Sequence, residues 1–137
     1  MHEPSMDKHA VGIMPPLVLA FVGDAVWELD VRCRAVHSHQ GKIVDLHRLT
    51  VDHVQATAQA SAARGLLHLL NEEEQEVFRR AKNTKPLRIP KSATLADYRF
   101  STGLEAVLGY LHLSQQSQRL EFMLEQLWQL QQAKDSV

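Results

Sequence analysis

Apolar residues recur along this chain at intervals of three and four, and no stretch alternates with period two between turn signals, so the pattern predicts helices throughout and no strands. Pro15 and Pro16 suit the opening of a first helix running to about Val36. That helix carries apolar side chains on nearly every side, including Leu17, Phe21, Val22, Val26, Leu29 and Cys33, and is expected to be the central, buried one. Cys33 is read as a packing residue within it. The segment His37-Ser-His-Gln-Gly41 ends it. A second helix is expected from about Asp45 to Ala63, with Leu46, Leu49, Val54 and Ala58 on one stripe, until Gly65 breaks the pattern before a short segment to Leu70.

Asn71 then caps a helix to about Lys82, and the acidic cluster Glu72, Glu73, Glu74 and Glu76 suits the positive end of its dipole. Proline spacing and charge make Asn83-Thr-Lys-Pro86-Leu-Arg-Ile-Pro90-Lys91 a loop. Thr94, with Asp97 three residues on, opens a helix to about Leu113, so Asp97 is read as a helix-start residue. A last amphipathic helix covers roughly Gln115 to Gln132, with Leu120, Met123, Leu124, Leu127 and Trp128 facing inward. Together these elements predict one all-α domain over residues 1–137, with its core from about 15 to 132.

Composition narrows the class. Hydrophobic residues make up 45% and charged residues 23%, the globular range, and no apolar run reaches the roughly 20 residues of a membrane span. The mixed-charge start Met1-His-Glu-Pro-Ser-Met-Asp-Lys8 has no apolar stretch of a secretion signal behind it, so a cytoplasmic location and no membrane partner are expected. One cysteine excludes an internal disulfide and a multi-cysteine zinc site, and the eight histidines include no His-x-x-x-His spacing. A net charge of −1 does not mark the whole molecule as a polyanion binder. Its distribution does so locally: Arg79 to Arg99 holds seven basic residues against one acid, Asp97.

Two runs carry the candidate chemistry. Leu19-Ala-Phe-Val-Gly-Asp24-Ala-Val-Trp-Glu28 and Tyr98-Arg-Phe-Ser-Thr-Gly-Leu-Glu105-Ala-Val-Leu-Gly-Tyr110 each set a carboxylate in an apolar, helix-patterned stretch. A charge there must be paired, hydrogen-bonded or bound to a cation. Gly23, Gly103 and Gly109 each weaken a helix by about 1 kcal/mol relative to alanine, which close backbone approach would offset. A crossing near Gly23 and Gly103 would lay Asp24 beside Glu105, and magnesium, which takes oxygen ligands and keeps waters beside one or two carboxylates, would relieve their repulsion. The alternative is that each acid is ion-paired, with Arg99 or Arg32. Glu28 competes for the metal by position but precedes Arg32 in the acid-first order of a helical ion pair, which is the reading preferred for it.

These two motifs resemble the signature of the ribonuclease III catalytic domain. Combined with Arg79-Arg-Ala-Lys-Asn83 and Tyr98-Arg-Phe-Ser-Thr102, they are similar to the Mini-ribonuclease III branch, which lacks a double-stranded-RNA-binding domain, over about residues 15 to 113. The resemblance implies an all-helical homodimer that cleaves double-stranded RNA with magnesium, leaving a 5'-phosphate and a 3'-hydroxyl, in maturation of the 23S ribosomal RNA precursor. It places Asp24 on the family's catalytic aspartate and Glu105 on its metal-binding glutamate. Full-length ribonuclease III enzymes carry further acids where this chain has Leu17, Ala20 and Thr102, so one or two ions per site both stay open.

Held by Asp24 and Glu105, magnesium would polarise the scissile phosphate and lower the pKa of an attacking water. Thr102, one turn before Glu105, is positioned to hydrogen-bond a water of that ion, against the preferred use of its hydroxyl in bonding back to a helix carbonyl. Arg79, Arg80, Lys82, Lys85 and Lys91 are read as phosphate contacts and Asn83 as a sugar contact, since A-form RNA is read chiefly by shape, phosphates and 2'-hydroxyls. Apolar surface around Trp27 and Val31 would be covered by a symmetric partner. The competing reading is a non-catalytic RNA-binding or ribosome-associated helical protein, for which the basic loop alone would suffice.

Overall fold

Seven α-helices and one 3₁₀ turn form the described part of the computed structural model, which covers residues 6–38, 41–86, 91 and 93–135. They are α1 (Lys8–Gly12), α2 (Pro16–Ser38), α3 (Ile43–Val54), α4 (Ala56–Leu66), the 3₁₀ turn Leu67–Leu69, α5 (Glu72–Lys82), α6 (Leu95–Leu113) and α7 (Ser117–Asp135). No strand occurs among the described residues. Residues 39–40 of the expected turn after the first helix and 87–90 of the basic loop, Arg88 included, lie outside them.

The helix ends follow from local chemistry. Asp7 accepts from the Ala10 N–H and opens α1, a short element that the apolar spacing does not predict. Asn71 accepts from Glu74 N–H while Glu74 reaches back to Asn71 N–H, both at 2.9 Å, a complete capping box at the start of α5. Thr94 accepts from Asp97 N–H at 3.0 Å to start α6.

The expected second helix is two. It breaks at Gln55, whose backbone is extended at φ −65 and ψ 152, whereas Gly65 sits inside α4 against Leu130. Carbonyls freed by the break are taken by side chains: the His53 carbonyl accepts from Gln131 Nε2 at 3.0 Å and Trp27 Nε1 at 3.4 Å, and the Val54 carbonyl accepts from Gln59 Nε2 at 2.7 Å.

The central helix is α6, not the first long helix. Ten of its residues are buried, Leu104, Ala106, Val107, Leu108, Tyr110 and Leu111 among them, and α2, α4, α5 and α7 pack around it. α2 buries one face only, through Leu19, Ala20, Gly23, Trp27, Val31 and Ala35. Trp27 and Val31 are therefore interior residues with no exposed surface, and the apolar face that α2 shows to solvent is Val18, Phe21, Leu29 and Val36, with Phe21 79% exposed. Cys33 lies on that outer face as well and is not a packing residue. The sequence pattern names an all-round apolar helix correctly, but such a helix can be covered by its own chain or by another.

The α2–α6 contact depends on missing side chains. A methyl group at Gly23 would overlap the Glu105 carbonyl and stand 2.9 Å from Gly109 N, and one at Gly109 would overlap the Leu19 carbonyl and stand 3.0 Å from Gly23 N. The crossing thus pairs Gly23 with Gly109. Gly103, expected there, instead faces α5, where a methyl would come within 2.7 Å of the Phe78 ring. At the periphery, the fully buried Glu74 carboxylate receives Arg119 Nε and Nη2 at 2.9 and 2.8 Å, and Arg34 bridges Asp30 and Glu125 at 2.8 Å each.

Gly23→Ala forces two helix backbones apart, and overpacking of this kind costs about 3 kcal/mol or more. The expected result is a melting temperature lowered by several degrees or an insoluble product; a thermal melt matching the unsubstituted protein would show that the crossing tolerates a side chain.

Candidate active site

Because Gly23 rests on the Glu105 backbone, Asp24 on α2 is delivered to the Glu105 side chain on α6. Asp24 is exposed, while Glu105 is only partly so. Burial, then the hydrogen bond and charge of Asp24, push the Glu105 carboxyl from 4.5 up to about 9, and a hydrogen bond from Gln59 works in the opposite direction. Near neutrality Glu105 therefore keeps its proton.

Gln59 and Ser101 complete the surroundings of Glu105, and neither stands out in the sequence as a site residue. Gln59 lies on α4 among Ala56, Ala58, Ala60, Ala62 and Ala63 and is 1% exposed. Its Nε2 donates to the Val54 carbonyl and its Oε1 accepts from the Ser101 hydroxyl. The signal available was a lone amide in a small-residue stripe. Thr102 is buried and its hydroxyl donates to the Tyr98 carbonyl at 2.9 Å, the helix back-bond preferred from sequence. Glu28 pairs with Arg32 at 3.2 Å, as the acid-first order predicts, so Arg32 does not neutralise Asp24. Arg99 is partly buried with its Nε unpartnered among the described residues, so that nitrogen makes no ion pair with either acid.

The basic residues divide into two groups. Arg80 donates to the Gly12 carbonyl at 2.6 Å and the Met14 carbonyl at 3.4 Å, so it fastens the N-terminal segment and is not free to clamp a phosphate. Arg79 is exposed but held by Glu76 through two hydrogen bonds of 3.0 and 2.6 Å. Lys82 lies 5.5 Å from the Phe100 ring centre, beside Arg64, which stacks on that ring at 4.7 Å and pairs with Asp97 at 3.2 Å. Asn83, Lys85 and Lys91 are exposed, with Asn83 at the C-cap of α5. Arg64 was not singled out from sequence, since its proximity to this surface arises only when α4 packs against α6.

Two hard oxygen donors on separate helices, one of them at the surface, fit a small divalent cation completed by water and phosphate oxygens. Among the described residues no group of three or more His, Cys, Asp or Glu side chains is placed so that it could hold a metal ion. None of the helices is long and apolar enough to cross a membrane among those residues.

The ribonuclease III domain family matches residues 17–116. Mini-ribonuclease 3 of Symbiobacterium thermophilum is 46% identical over 112 residues, covering 82% of this chain and 86% of that protein. Mini-ribonuclease 3 of Streptococcus pneumoniae is 35% identical over 126 residues, covering 90% of this chain and 97% of its own length. A crystal structure of a Fusobacterium nucleatum protein superposes with a TM-score of 0.75 at 30% identity, over 82% of this chain and 90% of that one. A carboxylate pair fixed by a glycine crossing within an all-helical domain, in a chain that matches those relatives over most of its length, belongs to the Mini-ribonuclease 3 family of ribonuclease III domains.

Proposed function

We propose that Asp24 and Glu105 jointly hold a magnesium ion and form the catalytic centre of this chain, which as a family member is an endoribonuclease of double-stranded RNA. The observation that carries the reading is the main-chain contact of Gly23 with Glu105, which sets Asp24 beside a carboxyl that burial and the Asp24 charge push up to about 9, so that it keeps its proton when no cation is present. A cation replaces that proton at lower cost.

When bound, magnesium supplies Lewis-acid polarisation of the scissile phosphate and a water of lowered pKa, leaving 5'-phosphate and 3'-hydroxyl ends. The chain's own residues do the rest. Asp24 faces solvent and is the carboxylate that meets the incoming backbone, while Glu105, set deeper, anchors the ion to α6. Lys82, Lys85 and Lys91 with Arg64 offer positive charge to neighbouring phosphates, and Asn83 a hydrogen bond to a sugar. Arg79 joins them only by exchanging Glu76 for a phosphate. Thr102 stays committed to its helix carbonyl. The precursor of 23S ribosomal RNA, in the cytoplasm, is the substrate we assign by resemblance.

A second copy of the chain covers the outer face of α2 in this reading. Phe21, Leu29, Val36, Ile43 and Val44 are large, apolar and exposed, far more than a small domain leaves to water without use, and a two-fold pair would present two centres to the two strands of a duplex.

Asp24→Asn should lower magnesium-dependent duplex cleavage by about 100-fold or more, given that losing even an outer partner of a metal site costs 10–100-fold. Retained cleavage at the original rate would remove Asp24 from the centre. Glu105 carries a raised value in the fold, so its contribution to stability is complete below 4.5 and is lost as pH rises toward about 9. Without metal, Glu105→Gln is therefore expected to melt above the unsubstituted protein at pH 8.5, with the gap closing toward pH 4.5 and on adding magnesium; equal melting temperatures at pH 8.5 would contradict the raised Glu105 value. Phe21→Glu should sediment as a folded monomer with little duplex cleavage, and a variant that remains dimeric would move the interface elsewhere.

A further inference from the structure

Phe100 meets one other ring and two cations. It packs edge-on against Phe78, with ring centres 5.7 Å apart and planes at 65°. Phe78 is itself buried and rests on Gly103 of α6, where a methyl group would come within 2.7 Å of its ring, so close packing fixes the inner side of Phe100. From α4, the exposed Arg64 brings its guanidinium to 4.7 Å from the Phe100 ring centre, and from α5 the Lys82 ammonium stands 5.5 Å from the same point. The two charges are thus no farther apart than about one Debye length, roughly 10 Å at 0.1 M salt, and they repel each other. A single acid answers them. Asp97 meets Arg64 at 3.2 Å, and Lys82 has no carboxylate partner among the described residues.

We propose that Phe100 is a positioning residue for the substrate: its ring holds Arg64 and Lys82 together as a two-point clamp on neighbouring backbone phosphates of duplex RNA. That role rests on the reading of these two cations as phosphate contacts. A cation held by a ring differs from one held by an acid in what it has left to offer. Pairing with a carboxylate spends N–H donors and cancels charge, whereas attraction to a ring face spends neither. Arg79 has two donors on Glu76, and Arg80 has its donors on the Gly12 and Met14 carbonyls. Lys82, by contrast, makes no side-chain hydrogen bond among the described residues, and Arg64 gives Asp97 only Nη2. Phosphodiester oxygens are the anions that a duplex presents repeatedly. Each cation can give one of them a charge-assisted hydrogen bond, and the bound anions offset the repulsion between the cations. Two long side chains would otherwise lose rotamer freedom on gripping RNA, and the ring has already restricted them on folding. Leucine at 100 fills space against Phe78 but holds neither cation.

The experiment is an anisotropy titration of a fluorescein-labelled RNA duplex with the full chain, in chelator so that nothing is cut, repeated over a salt series well below the melting transition. Phe100→Leu is expected to raise the dissociation constant about fivefold, and Phe100→Tyr, which keeps the ring, to leave it within about twofold. In a chain that also carries Arg64→Gln and Lys82→Gln, Phe100→Leu should add nothing, because no cation is left for the ring to hold. That double background should itself bind more weakly, with a salt slope flatter by about 1.5 to 2 for two lost phosphate contacts. A ring that serves packing alone would lower the melting temperature and either leave duplex affinity of the folded protein unchanged or cost the same factor in both backgrounds; each of these results overturns the inference. Should Phe100→Leu not fold, a ring-fluorinated phenylalanine at position 100 decides, since it keeps the shape and withdraws negative charge from the ring face. About threefold weaker duplex binding is then expected, and no change refutes the proposal. If the double background binds duplex as tightly and with the same salt slope as the unsubstituted chain, the reading of these cations as phosphate contacts fails. Weaker binding there with normal binding in Phe100→Leu rejects only the role of the ring.

Discussion

Two glycines let the backbones of α2 and α6 touch, and the position of the carboxylate pair follows from that contact. Gly23 rests on the Glu105 carbonyl and Gly109 on the Leu19 carbonyl, so the helices meet through main chain and no side chain sets their spacing. Each glycine gives up about 1 kcal/mol of helix stability relative to alanine. In return, the residue after Gly23 lies against the residue whose backbone Gly23 contacts. The separation of Asp24 and Glu105 is thus fixed by helix geometry, which is stiffer than any pair of rotamers. A site that must hold an ion between two elements gains most from this kind of rigidity.

Such a pair is unfavourable to the fold that carries it. Without a cation, burial and the neighbouring Asp24 hold the Glu105 carboxyl far above its ordinary value. The remainder of the molecule offsets this with fully matched polar groups: the capping box at Asn71 and Glu74, Arg119 across the buried Glu74 carboxylate, and Arg34 between Asp30 and Glu125. Every one of these lies away from the pair and has its charges answered. The contrast separates charges that stabilise the domain from charges that await a ligand.

What the sequence made legible was the local part. Helix type, the caps at Asn71 and Thr94, the Glu28–Arg32 pair and the two isolated acids all depend on residues a few positions apart, and each is found where spacing places it. What it hid depends on tertiary packing. An apolar helix does not reveal which of its faces meets its own chain, so Trp27 and Val31 were expected outside and Phe21 and Leu29 inside, the reverse of their places. Gly103 was matched to Gly23 because both adjoin an acid, but the helix phase turns Gly103 to Phe78 and Gly109 to α2. Gln59 has no charge and no motif, and its hydrogen bonds to the Val54 carbonyl and the Ser101 hydroxyl appear only when α4, α6 and the Gln55 break meet.

The same limit explains the basic segment. Counted along the chain, Arg79 and Arg80 are the densest positive charge before the loop, yet the fold consumes both, one on Glu76 and one on backbone carbonyls of the N-terminal segment. Positive charge at the surface shifts toward Lys82, Lys85 and Lys91, with Arg64 contributed by α4 across the Phe100 ring. Phe100, whose ring gathers Arg64 and Lys82, and Glu105 are both carried by α6. A nuclease needs cations for phosphates and anions for its metal, and placing both on one surface without letting them neutralise each other is an electrostatic problem. Here the partly buried position of Glu105 and the pairing of Arg32 with Glu28 keep arginine from the acids, which in the function proposed above leaves their charge to an ion.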